Sequence, residues 1–187
     1  MCFGTDWLKY MGKVLKEIVS TLIYLGVVFL LTFLFFTFVM QRTEVSGNSM
    51  NPTLIDRDSL LIEKVTYRFG DAKRFDIIVF PYRYGNEEYF IKRVIGLPGE
   101  TVRIDTEGNI YINENLLQEN YGAEVILDPG VAINGITLGE DEYFVMGDNR
   151  NHSMDSRDPS VGNINKKDIL GHAFIRVYPF SSFGGIK

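Results

Sequence analysis

The sequence predicts a mainly β protein, built as packed antiparallel sheets or a partly closed barrel and preceded by one transmembrane helix. Three observations predict it. Residues 18–41, IVSTLIYLGVVFLLTFLFFTFVMQ, contain no charged side chain. From residue 42 onward short runs rich in Val, Ile, Tyr and Phe alternate with clusters of turn-forming residues. In that second part no helical period survives beyond a turn or two.

The apolar run justifies the helix. Its 24 residues would rise about 36 Å as a helix, against a hydrocarbon core of about 30 Å. A buried helix of a soluble protein is rarely apolar on every face over such a length. A cleaved leader would carry an apolar region of about 7–15 residues followed by a small-x-small site. FVMQRTEV offers no such site, so the segment is read as an uncleaved anchor. Lys9, Lys13 and Lys16 precede it and only Arg42 follows closely. The positive-inside bias then places residues 1–17 in the cytoplasm and residues 42–187 outside the cell membrane. Trp7, Leu8, Met11, Val14 and Leu15 recur at helical spacing opposite the lysines, which suits either a short interfacial helix or a disordered tail.

The extracytoplasmic part justifies the sheets. SLLIEKVTY, RFDIIVF, EYFIKRVIG, TVRID, NIYINEN, EYFVMG and AFIRVYPF read as strands, separated by turns such as PYRYGN, GLPGE, DTEGN and GDNRN. INKKDIL, residues 164–170, is a candidate short helix or turn. Residues 113–141 are rich in Gly, Asn and Glu with weak strand signals and read as a peripheral excursion. Phe180 and Phe183, at the end of the last run, suit either contact with the bilayer or strand-end packing.

Composition narrows the function. The chain has 187 residues and a net charge of −5, so it carries one core and no basic footprint for nucleic acid. Its single cysteine, Cys2, excludes an intrachain disulfide and a thiolate zinc cluster. Cys2 is read as incidental or as an acylation site beside the membrane.

Ser49 draws attention within VSGNSMNPTL, a polar turn close behind the anchor. A nucleophilic serine needs a base. His152 lies in a polar turn and His172 opens a strand, so a Ser-His-Asp arrangement stays open. Lys92 is the other candidate. In EYFIKRVIG alternation places Phe90, Lys92 and Val94 on one face and Ile91, Arg93 and Ile95 on the other. An ammonium buried among apolar neighbours loses its preference for the charged form, and a neutral amine can accept a proton. Alternation alone leaves open a snorkelling lysine whose head reaches water. In MGDNRNHSMDSRDPS the charges Asp148, Arg150, Asp155 and Arg157 alternate in sign around Asn149 and Ser153. That pattern suits a salt-bridged turn or a support for a neighbouring base. Asn151 to Ser153 also matches the short glycosylation pattern.

Taken in order, the N-terminal span, SGNSMNPTL, RFDIIVFPY, KRVIGLPGE and GDNRNHSMDSR resemble type I signal peptidases, the membrane-anchored proteases that remove signal peptides from exported proteins. The resemblance covers nearly all of the exported domain except 113–141. It implies Ser49 as nucleophile and Lys92 as general base, with no metal or cofactor, and the Ser49 N–H as a donor to the oxyanion. It implies that Ser153 hydrogen-bonds the Lys92 amine, and that Asp148, Arg150, Asp155, Arg157 and Arg93 form a salt-bridged scaffold. Val45, Met50, Leu54, Phe90 and Ile91 match positions lining shallow substrate pockets. Those pockets would take small residues at the first and third positions before the cut in exported preproteins. Two departures stand out. Gly47 occupies a place where some bacterial relatives carry a serine whose hydroxyl completes the oxyanion hole. Phe75-Asp76 stands where relatives usually carry Gly-Asp. Lys92, where eukaryotic and archaeal relatives carry histidine, points to the bacterial kind, and the single span resembles the Gram-positive type. The implied protein is a monomer that touches membrane lipid and binds no nucleic acid. Self-cleaving repressors share the dyad but begin with a DNA-binding domain. A non-catalytic anchored β domain that binds peptides is the other alternative, and it has no need of Ser49, Lys92 and Ser153 together.

Overall fold

The computed structural model describes residues 3–85 and 88–186, and the chain divides after Val39 into a helical unit and a β-rich domain. Cys2 lies outside the described residues. Helix α1 runs unbroken from Phe3 to Phe38, a rise of about 54 Å. Its segment Lys9–Phe38 is long and apolar enough to cross a membrane. Phe29, Leu31 and Phe33 are exposed on it, as side chains meeting lipid must be. Residues 3–17, expected as a separate interfacial helix or a disordered tail, continue the same helix. At its other end α1 stops at Phe38, short of the expected Gln41. The Val39 N–H still donates to the Phe35 carbonyl at 2.8 Å, but Met40 and Gln41 pair with Glu63 and Ile62 of a strand. Sheet pairing satisfies their backbone groups and outweighs the apolar composition that would have prolonged the helix.

The domain contains strands β1 (Met40–Glu44), β2 (Ser59–Glu63), β3 (Ile77–Pro81), β4 (Tyr89–Gly96), β5 (Thr101–Ile104), β6 (Ile110–Ile112), β7 (Asn115–Leu116), β8 (Ile136–Thr137), β9 (Glu142–Met146), β10 (Ile164–Asn165), β11 (Gly171–Tyr178) and β12 (Gly184–Gly185), with a short helix α2 (Thr66–Phe69) before β3. The larger sheet has the order β1-β2-β11-β3-β4-β9-β10, with β12 against β11; the smaller has β7-β6-β5-β8. Pairing is antiparallel in both, as in β3 against β4 and β5 against β6. Short aromatic and β-branched runs with turns of few residues favour such local pairing.

Three apolar clusters hold the domain. Val102, Ile104, Ile110 and Ile112 of the smaller sheet pack on Ile95, Phe144 and Met146 of the larger. Ile78, Phe80, Val94, Tyr143 and Val145 form a second cluster. Val45, Met50, Leu54, Leu60, Ile62, Ile77, Val79 and Ala173 form a third, beneath the turn that carries Ser49. Residues 113–141, expected as a peripheral excursion, contribute the buried side chains Ile126, Ala132 and Leu138 to the first cluster. The apolar residues of this segment are too sparse to show a period, yet these three meet the core. INKKDIL becomes β10 and a 3-10 turn at Lys166–Asp168, whose start is capped by the Asn165 side chain accepting from the Lys167 N–H. Phe180 and Phe183 are 82% and 61% exposed, and the Phe180 ring meets that of Tyr178, the last residue of β11, edge-on at 5.8 Å.

Candidate active site

Ser49 sits in the loop joining β1 to β2. The base of the loop is closed by Val45 N–H donating to Asp58 O at 2.8 Å and Arg57 N–H donating to Val45 O at 2.9 Å. Inside it, Leu54 N–H donates to Met50 O at 2.8 Å, and Gly47 N–H donates to Asp56 Oδ1 at 2.8 Å. Val45, Met50 and Leu54 are buried in the cluster below. They anchor the turn by its apolar side chains and leave Ser49 half-buried above them.

Lys92 reaches the same point from the middle of β4, opposite Ile78 in the pairing. Its Nζ donates to Ser49 Oγ at 2.8 Å and to the Ile91 carbonyl at 3.1 Å. It lies 4.9 Å from the centre of the Phe90 ring, the residue two positions earlier on the same face. Lys92 is 3% exposed. Burial lowers its pKa from the ordinary lysine range to about 8, while the charges of Asp155 and Asp148 oppose that shift. The snorkelling alternative fails on this geometry: the head group is enclosed, and its neighbour is a hydroxyl. A cleft of roughly 500 Å³ opens over the pair, lined by Val45, Gly47, Met50, Phe90 and Ile91 among others.

The next residue, Arg93, turns the other way, as strand alternation requires. Its Nε and Nη2 donate to both oxygens of Asp148 at 2.8 and 2.7 Å, and both side chains are almost fully buried. Arg93 also donates to the Phe75 carbonyl at 2.9 Å and stacks 3.7 Å from the Tyr121 ring centre. Asp155 accepts from Nε and Nη2 of Arg157, each at 2.8 Å, and from the Gly147 N–H at 3.0 Å. Arg150 donates to the Gly147 carbonyl at 3.1 Å and pairs with Glu119 at 2.6 Å. The expected scaffold residues therefore do come together, as two separate ion pairs plus an Arg150–Glu119 pair. Two bidentate guanidinium forks satisfy the buried carboxylates that would otherwise be costly.

Other expectations need correction. Ser153 does not bond the Lys92 amine. Its Oγ is buried without a partner among the described residues, while Nζ bonds Ser49 and the Ile91 carbonyl. Ser153 instead lines a second cavity with Leu127, Val131, Arg150 and Arg157. Leu54 does not line the cleft: it is fully buried in the core below, where an apolar residue four positions after Met50 is drawn by the same burial. His152 lines the cleft, but Lys92 is the group that bonds Ser49. His172 lies between Tyr67 and Phe174 and faces Asp76. The glycosylation pattern at Asn151 is occupied from within, since its amide donates to Val125 O and accepts from Leu127 N–H, each at 2.9 Å. Phe75 takes φ +74°, the left-handed conformation that glycine adopts freely. The ring compensates by packing on Tyr121 at 5.0 Å between centres.

Sequence reasoning missed Thr53, Glu119 and Tyr121. Thr53 Oγ1 donates to Asp148, and its carbonyl accepts from Arg176. Only the place of Thr53 just after the Met-Asn-Pro turn hinted at it; nothing near Glu119 or Tyr121 points to partners in distant segments.

Comparison with known proteins identifies the family. Residues 15–178 match the family described as signal peptidase, peptidase S26. Signal peptidase I of Leptolyngbya laminosa is 39% identical over 155 residues, which cover 79% of this chain and 73% of that protein. Signal peptidase I P of Bacillus subtilis subsp. natto is 37% identical over 165 residues, covering 84% and 87%. A crystal structure of a signal peptidase I from Enterococcus faecalis is 36% identical, covers 55% of this chain and 96% of that one, and superposes with a TM-score of 0.45. By family and by length of match, the chain belongs to the signal peptidases of the peptidase S26 family.

Proposed function

We propose that this chain removes signal peptides from exported preproteins with Ser49 as nucleophile and Lys92 as general base. The observation that carries the assignment of these two residues is the 2.8 Å contact between Lys92 Nζ and Ser49 Oγ in a place where the lysine is 3% exposed. With a pKa lowered to about 8, a useful fraction of Lys92 is neutral near physiological pH. The neutral amine accepts the Ser49 hydroxyl proton as Oγ attacks the scissile carbonyl. The oxyanion develops toward the Ser49 N–H. Collapse expels the new N-terminus of the mature protein, which takes the proton back from Lys92, and leaves an ester on Ser49. Water, deprotonated by the same amine, attacks the ester and releases the signal peptide.

The substrate lies extended in the cleft. Main-chain bonds supply affinity, and the apolar walls at Val45, Met50, Phe90 and Ile91 accept small side chains at the first and third positions before the cut. Leu54 supports these walls from beneath. Residues 1–17 are cytoplasmic, the apolar part of α1 spans the cell membrane, and the domain from residue 42 works outside as a monomer. Tethering the site to the bilayer raises its effective concentration for substrates held in the same membrane. Phe180 and Phe183 contact lipid.

The test uses the full chain in liposomes with a preprotein bearing an Ala-x-Ala site. The parent cuts after the second alanine, while Ser49→Ala and Lys92→Ala do not. Cleavage retained in Lys92→Ala moves the base to His152. A folded parent that cuts no preprotein supports the peptide-binding alternative.

A further inference from the structure

Resting on that reading, the oxyanion donor raises a question of aim. A trans peptide unit is planar, so its carbonyl and its N–H point in opposite directions. The Asn48–Ser49 unit is trans; among the described residues the cis bonds are Asn51–Pro52 and Tyr178–Pro179. Its carbonyl is gripped by two donors, the Asn51 N–H at 3.1 Å and the Asn149 side-chain Nδ2–H at 3.1 Å. Its N–H, on Ser49, donates to no group among the described residues. Asn149 also donates its own backbone N–H to the Ser49 carbonyl at 3.0 Å. One residue thus holds the peptide units on both sides of the nucleophile's Cα. Asn48 and Ser49 line the cleft and Asn149 does not; the bonded carbonyl is turned toward Asn149, and planarity points the unbonded N–H the opposite way.

Gly47 sharpens the consequence. It has no hydroxyl to offer a second hydrogen bond, and it sits at φ +92° with open space where a side chain would begin. The backbone donor therefore carries more of the charge that develops on the oxygen. We propose that Asn149 is a positioning residue of the oxyanion site: by holding the Asn48 carbonyl, it aims the Ser49 N–H at the tetrahedral intermediate.

The experiment compares the full-length parent with Asn149→Ala, Asn149→Asp and Ser49→Ala in liposomes. Three quantities are read: cleavage kinetics across pH, affinity for a signal-peptide aldehyde that adds reversibly to Ser49, and affinity for the cleaved signal peptide. Losing the aim of one oxyanion donor lowers kcat by roughly 100-fold, toward the 100- to 1,000-fold cost of removing such a donor, with KM little changed. The aldehyde weakens by the same factor, the product peptide does not, and the acidic limb of the pH profile stays in place. Asn149→Asp replaces the donor with an acceptor of the same shape and loses at least as much; it carries the test if the alanine variant does not fold. Unchanged kcat overturns the inference while leaving the dyad intact. A parallel loss of aldehyde and product affinity, or a shifted acidic limb, also overturns it, because Asn149 would then act through general folding or through Lys92. A folded parent as inactive as Ser49→Ala overturns the inference together with the peptidase reading beneath it.

Discussion

Thr53 Oγ1 donates to Asp148 Oδ2 at 2.5 Å, joining two residues 95 positions apart in the chain. The same carboxylate accepts both arms of Arg93, the neighbour of Lys92 on β4. One buried anion thereby sets the spacing between the turn carrying Ser49 and the strand carrying Lys92. Thr53→Val keeps the shape and deletes the donor. It is expected to cost about 1–3 kcal/mol of stability and to lower kcat, while Thr53→Ser preserves both. Denaturant unfolding and cleavage kinetics on the same preparations check this; a valine variant with parental kcat contradicts the spacing role.

Lys92 must be neutral to act as base. With its pKa lowered to about 8 by burial, cleavage rises with pH through an acidic limb centred near that value. Lys92→Arg places a cation that does not deprotonate at the same point, so it is expected to be inactive at every pH tested. A limb centred near 6.5, where an ordinary histidine titrates, would indicate a different base.

The same shift has a stability sign. The folded-state pKa of Lys92 lies below its unfolded value, so the unfolded chain binds more protons between about 8 and 10.5. Stability from this group therefore rises with pH across that window. Below it, the folded state bears the full penalty of an enclosed cation. Lys92→Met is expected to be inactive but more stable at pH 7, by about 3 kcal/mol at most, with the gain fading as pH approaches 10.5. Unfolding measured at several pH values checks it; a gain that grows with pH has the wrong sign.

At Phe75 the usual ranking of alanine over glycine should reverse. Both substitutions remove the ring from Tyr121, but only glycine relaxes φ +74°. Phe75→Gly is expected to be more stable than Phe75→Ala by about 1 kcal/mol. Equal melting of the two variants would show that the backbone relaxes at this turn.

Much of this site is legible in the sequence because strand geometry is periodic. Alternation along EYFIKRVIG sends Lys92 and Arg93 to opposite sides, and the structure gives one to Ser49 and the other to Asp148. Of the alternating charges of GDNRNHSMDSR, Asp155 and Arg157 pair with each other, while Asp148 pairs with Arg93 and Arg150 with Glu119. Leu54 shows where that legibility stops. An apolar residue that lines a cleft and one that fills the core beneath it have the same chemistry, so sequence grouped Leu54 with Val45 and Met50. Ser153 shows another limit, since the direction a rotatable hydroxyl takes is not written in its place in the sequence. Glu119 and Tyr121, in a segment without periodicity, gave no sign that they hold Arg150 and Arg93.

By itself the sequence determined an apolar helix long enough to cross a bilayer, short strands that pair antiparallel, and a serine, a lysine and a run of paired charges at family spacing. These follow from local chemistry, because hydropathy and side-chain alternation need no distant partner. The tertiary structure decided that Lys92 is enclosed, that its amine meets Ser49 and not Ser153, and that Asn149 grips the turn from the far end of the chain. Desolvation and hydrogen-bond aim are set by whatever surrounds a group in space, and here those surroundings come from segments 43 and 101 positions away.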